Sequence, residues 1–135
     1  MNLEKVFKNL ILVNSVIYAI IIISLFFEPE EITTIQDQLG FGIFDSDSGV
    51  VIGGIISLAI LVVYPINFFL LYRFISFGKA LYTITFIVSV VYSLSSGPYI
   101  IDAFSGALDL LDTAMCGSIL VFLYFTPIKN KFNAQ

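Results

Sequence analysis

Residues 49–72 read GVVIGGIISLAILVVYPINFFLLY, without a single charged side chain. A helix that crosses a membrane needs about 20 mostly apolar residues to cover a hydrocarbon layer of roughly 30 Å. This stretch meets that need, and residues 6–27, 80–96 and 107–126 form three more of the same kind. Together they predict an all-α integral membrane protein, a single domain over 1–135 built as a four-helix up-down transmembrane bundle. The connections between the second, third and fourth spans are short, which favours antiparallel packing of neighbours.

Composition points the same way. Apolar residues make up 59% of the 135 and charged residues 12%, against roughly 45–50% and about 25% in ordinary soluble proteins. Six basic and ten acidic side chains are too few to cover a water-soluble body of this size. The lysines before the first apolar run suggest a signal peptide, but the run is long and no small-x-small cleavage pattern precedes Glu28, so a retained helix is expected.

The charges also fix an expected orientation. Lys5 and Lys8 precede the first span, Arg73 and Lys79 lie between the second and third, and Lys129 and Lys131 follow the fourth. All six therefore fall on one side, and short cytoplasmic loops are the ones enriched in Lys and Arg. Nine of the ten carboxylates fall on the other side, leaving Glu4 with the lysines. The expectation is a multi-pass protein of the cell (inner or plasma) membrane, N-in and C-in. The outer segment 28–48 is acidic. Within it Glu30–Leu39, following Pro29, is expected to form a short surface helix, and residues 40–44, GFGIF, to lay aromatics at the membrane interface.

In a bilayer, helices associate through small and polar residues, so these mark the inward faces. Gly49, Gly53 and Ser57 recur every four residues on the second span, and Tyr64 and Asn67 continue the stripe. On the third, Tyr82, Thr85, Ser89, Tyr92, Ser93 and Ser96 share a face; on the fourth, Gly106, Asp109, Asp112, Thr113, Cys116 and Gly117 do. Gly49, Gly53, Ser57, Thr113 and Gly117 are the expected packing positions. The first span offers only Asn14, Ser15 and Tyr18 and is expected to be the most exposed. Pro65 removes the donor for the Leu61 carbonyl and predicts a kink.

Asp109 and Asp112 are the most informative side chains. Counting back from Pro127 at about 1.5 Å per residue puts Asp112 roughly 22 Å from the basic side, within an apolar layer. No basic residue of the chain lies on that half. The acids must reach water, carry protons, or bind a cation or a partner's basic group. Tyr92, Ser93 and Ser96 lie at matching depth on the antiparallel third span. These five residues form the candidate proton or cation site, weighed against a simpler reading in which Asp102 or Ser105 caps the helix and the acids favour its N-terminus.

Several function classes are excluded or disfavoured by counting. Histidine is absent and there is one cysteine, Cys116, so neither an intramolecular disulfide nor a Cys/His zinc site can form. Without histidine, a Gly-rich phosphate cradle or a Gly-x-Ser-x-Gly elbow, no enzyme and no cofactor are expected. The negative net charge and the separated cations argue against nucleic acid. The expected partners are the lipid bilayer and either further copies of the chain or a larger membrane complex. The leading expectation is a structural, accessory or interaction protein. The alternative is a small oligomeric transporter or channel component using Asp109 and Asp112.

Overall fold

A computed structural model describes residues 2–27, 29–39, 42–44 and 46–132. Glu28, Gly40, Phe41 and Asp45 lie outside the described residues, and with them part of the expected interfacial aromatic segment. The regular structure of the described residues is all helical, with no strand among them. The long helices are α1 (Leu3–Ser24), α3 (Asp47–Tyr72), α4 (Ser76–Ser95) and α5 (Ala103–Phe125), and the short α2 spans Glu30–Leu39. Three 3-10 turns complete the chain, at Leu25–Phe27, Gly42–Phe44 and Pro127–Phe132. The four long helices are long and apolar enough to cross a membrane.

All four long helices start earlier than the apolar runs suggest, and polar side-chain caps begin three of them. The Asn2 side chain accepts from the amides of Glu4 and Lys5 at 3.1 and 3.3 Å, opening α1 three residues ahead of Val6. Ser46 accepts from the Gly49 amide at 3.1 Å and opens α3. Asp102 accepts from the amides of Phe104 and Ser105 at 2.8 and 3.1 Å and opens α5. Such caps satisfy donors that the first helical turn leaves unpaired. At the far end of α1 the apolar residues 25–27 tighten into a 3-10 turn.

Neighbouring long helices run antiparallel. Leu70 and Gly78 face each other across the α3–α4 turn, and deeper in the pair Asn67 donates to Thr85 at 3.1 Å. On α1, Phe7 stacks near Phe74 and Tyr18 near Tyr64. Across α1 and α5, Asn14 meets Cys116, and Lys131, beyond α5, bonds Glu4 at 2.8 Å. All six basic residues lie at the end holding the start of α1, the Pro127–Phe132 turn and the α3–α4 turn; α2 and the α4–α5 connection lie at the other. We call these the basic and acidic ends.

The buried core gathers at the basic end. Phe7 and Ile11 of α1, Phe68 and Leu71 of α3, Ile119 and Leu123 of α5, and Ile128 and Phe132 of the last turn are all buried. This corrects the expectation for α1. Rather than being the most exposed helix, it packs chiefly against α5 and also against α3. Its inward face is made of Phe7, Ile11 and Asn14, two of them apolar. A search for small and polar residues passes over a face of that kind.

Phe74 locks this end. The Ile75 amide donates to the Leu70 carbonyl and the Phe74 amide to the Leu71 carbonyl, both at 3.0 Å. That pairing is a Schellman turn, whose left-handed position usually carries glycine. Here Phe74 occupies it with φ 58°. The left-handed backbone costs a residue with a Cβ about 1–2 kcal/mol, and burial of the ring offsets this. Phe74 is 8% exposed, stacked at 5.8 Å from Phe7 and edge-on at 5.4 Å from Phe132. It joins the α3–α4 turn to both ends of the chain. Removing the ring while restoring or withholding backbone freedom separates the two terms. Phe74→Gly and Phe74→Ala should both destabilise, with the glycine variant more stable than the alanine variant by about 1 kcal/mol, read from denaturant unfolding in detergent.

Candidate functional site

At the acidic end the bundle opens into a groove of about 570 Å³. One wall is α3, through Val50, Gly53, Gly54 and Ser57; another is α4, through Tyr92, Ser93 and Ser96; Asp109 of α5 stands on the third side. Gln36 of α2, Phe44 and Tyr99 close its outer end. Four of the five candidate residues, Asp109, Tyr92, Ser93 and Ser96, are thus brought to one surface.

Asp112 is not among them. It turns into the bundle, where its Oδ2 accepts from the Cys116 thiol at 3.7 Å while Oδ1 is shielded and has no hydrogen-bond partner. Cys116 is itself 1% exposed and receives the Asn14 amide at 3.5 Å. Tyr82 donates to the Cys116 backbone carbonyl at 3.5 Å. Asn67 donates to Thr85 at 3.1 Å, and the Thr85 hydroxyl donates in turn to the Leu81 carbonyl at 2.8 Å. All four long helices contribute to this polar seam. Asn14 and Asn67 are fully buried, and the Oδ1 of each lacks a donor, as Asp112 Oδ1 does.

The Pro65 gap is closed from outside its own helix. The Tyr18 hydroxyl donates to the Leu61 carbonyl at 3.1 Å, supplying the donor that the proline ring removes.

The packing positions divide. Gly49 and Gly53 are buried, but what they admit is Phe44 of the chain's own outer segment. A Cβ at Gly49 would stand 2.8 Å from the Phe44 backbone, and one at Gly53 3.3 Å from the Phe44 ring. Ser57 is exposed on the groove wall. Thr113 is exposed, and a Cβ at Gly117 would meet nothing within 4 Å among the described residues. Thr113 is therefore on the surface, and open space lies where a side chain at 117 would stand. The spacing of small residues marks these faces, but helix spacing alone does not say what fills them.

The N-terminal account of the two acids weakens as well. Because α5 begins at Ala103, Asp112 lies roughly 14 Å along it at about 1.5 Å per residue. The helix dipole acts within the first turn. Asp102 is the carboxylate that uses it: hydrogen bonds from the Ser105 side chain and amide, then from Phe104, hold it below the usual carboxylate range. Being depressed, that group favours the folded helix above the ordinary aspartate value, and the contribution is lost as acid protonates it.

Sequence reading missed the strap over the groove. Gln36 donates from its Nε2 to the Pro98 carbonyl at 3.1 Å and accepts at Oε1 from the Ile100 amide at 3.0 Å. Gly42, at φ 59°, approaches so closely that a Cβ would stand 2.7 Å from the Gly97 nitrogen. Phe44 then reaches Tyr92 at 5.4 Å between ring centres. The signal was the amphipathic 30–39 segment with an amide on one face, but its partner is an irregular loop that no periodicity marks. Replacing Gln36 by Ala removes both bonds, about 1 kcal/mol together at an exposed site. Amide exchange in 30–39 should quicken about fivefold while exchange in α1 and α5 holds. No family model matches this chain, and neither curated proteins nor solved structures provide a match.

Proposed function

We propose that the chain is an integral protein of the cell membrane, crossing it four times with both termini and the α3–α4 turn in the cytoplasm. It acts as a structural or accessory subunit, and the groove at the acidic end seats a transmembrane segment of a partner protein or of a second copy. Insertion is supported by the four long apolar helices and by large hydrophobics left outward-facing along all of them, such as Val16, Leu58, Ile84 and Leu110. Orientation is supported by the placement of all six cations at one end.

One observation carries the interaction reading. Gly54 lines the groove, yet a Cβ added there would meet nothing within 4 Å. Together with Gly53, Ser57 and Ser93 it makes a wall of small side chains, the kind of surface against which a second helix packs closely in lipid. Tyr92, Tyr99 and Asp109 on the remaining sides offer a hydroxyl-bearing and acidic rim.

A second reading draws on Asp109. Its carboxylate is exposed in the groove, and every basic residue of the chain is at the opposite end, so the groove would attract a cationic solute in a small oligomeric transporter or channel component.

Two experiments test these readings. Single cysteines at Ser48 and Lys129 should react differently with an impermeant maleimide on intact cells: Ser48→Cys labels from outside, Lys129→Cys only after lysis, and the reverse pattern overturns the orientation. Gly54→Leu fills the groove without touching the fold. It should leave thermal unfolding unchanged and abolish the higher-mass complex on native gels. If the complex survives Gly54→Leu while Asp109→Asn abolishes cation uptake into vesicles, the solute reading replaces the partner reading.

A further inference from the structure

We propose that Asp112 is a proton-binding site, held as a neutral acid that donates its O–H to the buried side-chain carbonyl of Asn14 and so joins α5 to α1. The inference is independent of what occupies the groove.

One sulfur stands between the two side chains, accepting from Asn14 and donating to Asp112. Asn14 is fully buried and spends its amide on Cys116 Sγ at 3.5 Å, which leaves its Oδ1 without a donor. Asp112 accepts from the same Sγ through Oδ2 at 3.7 Å, which leaves its own Oδ1 without one. The thiol's single hydrogen goes to Asp112 Oδ2, so it supplies neither of the two Oδ1 atoms. Buried acceptors are seldom left unpaired, and a single proton added to the carboxyl answers both deficits. It turns Asp112 Oδ1 into a donor for Asn14 Oδ1, and it removes a charge from an apolar interior.

The surroundings offer no other compensation. The titratable groups facing Asp112 are Tyr18 from α1, Tyr64 from α3, Tyr82 from α4, and Cys116 and Asp109 from its own helix. None can carry positive charge, and Asp109 adds a negative one. The basic residues are all at the far end. A hard metal cation would want about six oxygens. The sulfur-centred site presents two, and the described residues hold no cluster of metal ligands. A proton needs only a carboxylate and an acceptor, which are the groups present. It enters from water: the carboxylate takes up one H⁺ and no electron moves.

Infrared difference spectroscopy of the full chain in lipid nanodiscs tests this directly. At about pH 7.5 an ordinary aspartate is protonated to less than roughly one part in a thousand, so any protonated-carboxyl band there is informative. The wild type should show that band, Asp109→Asn should keep it, and Asp112→Asn should lose it. In Asn14→Leu the band should move to higher frequency as its hydrogen bond is lost, a shift that a merely packed carboxyl would not give. Asp112→Asn keeps the shape and can donate to Asn14 from its amide, so it should fold. Should it not, the wild-type band and its shift in Asn14→Leu still decide. The proposal is overturned by absence of the band in the wild type, by its survival in Asp112→Asn, or by its loss when sodium replaces choline at constant pH.

Discussion

Pro65 leaves the Leu61 carbonyl without its helical donor, and the Tyr18 hydroxyl of another helix supplies one at 3.1 Å. That single bond states the constraint under which the whole chain is built. Its outward surfaces are apolar along all four long helices, so polar groups must find partners among themselves. Most hydroxyls do so locally. Ser15, Thr83, Thr85, Ser89, Ser96, Ser118 and Thr126 each bond the carbonyl four residues back. Such back-bonding commits each hydroxyl's hydrogen to its own helix and leaves only the oxygen's lone pairs for a neighbour. The polar stripe on α4 therefore does less joining than its length implies. Tyr82 donates to α5 and Thr85 accepts from α3, while Thr83, beside the stripe on α4, meets the Tyr124 hydroxyl of α5 at 2.8 Å.

The two ends answer the constraint differently. At the basic end, aromatic rings fill the space between helices, and the lysines lie over those rings. Lys79 sits 4.2 Å from the Tyr124 centroid and Lys8 5.2 Å from that of Phe74. The exposed Glu4 links to Lys8 and Lys131 add little by comparison, since surface ion pairs are worth 0 to about 1 kcal/mol. At the acidic end, small residues line the inward walls, and a strap of the chain's own outer segment fills only part of the space they leave. Phe44 occupies the Gly49 and Gly53 face, and Gly54 and Ser57 stay open. Closure at one end and opening at the other follow from where large and small side chains stand along the same helices.

The helices were legible because their signal is simple. A run of apolar residues long enough to span lipid reads the same whatever its neighbours are, and the Glu30–Leu39 helix follows from Pro29 and its amphipathic pattern. Their starts were less legible, because Asn2, Ser46 and Asp102 are polar caps that stand before the apolar run and look like loop. The face of α1 was hidden for a different reason. Phe7 and Ile11 are apolar and so indistinguishable in sequence from residues that face outward. Only the contact partners, contributed by α3, α5 and the last turn, make them core.

The division of Asp109 from Asp112 has the same kind of origin. Three residues along an α-helix amount to about 300° of turn, which leaves roughly 60° between their directions. On a helix with one broad inward face, that difference would not matter, and the pair would share an environment. But α5 stands at the edge where the closed core gives way to the groove, and its two acids fall on opposite sides of that edge. One carboxylate meets the open groove, with its hydroxyls and small side chains. The other meets a thiol and an amide in the interior. Two residues of identical chemistry and nearly identical depth thus acquire different surroundings, set by 60° of rotation at a boundary that belongs to the bundle and not to the helix.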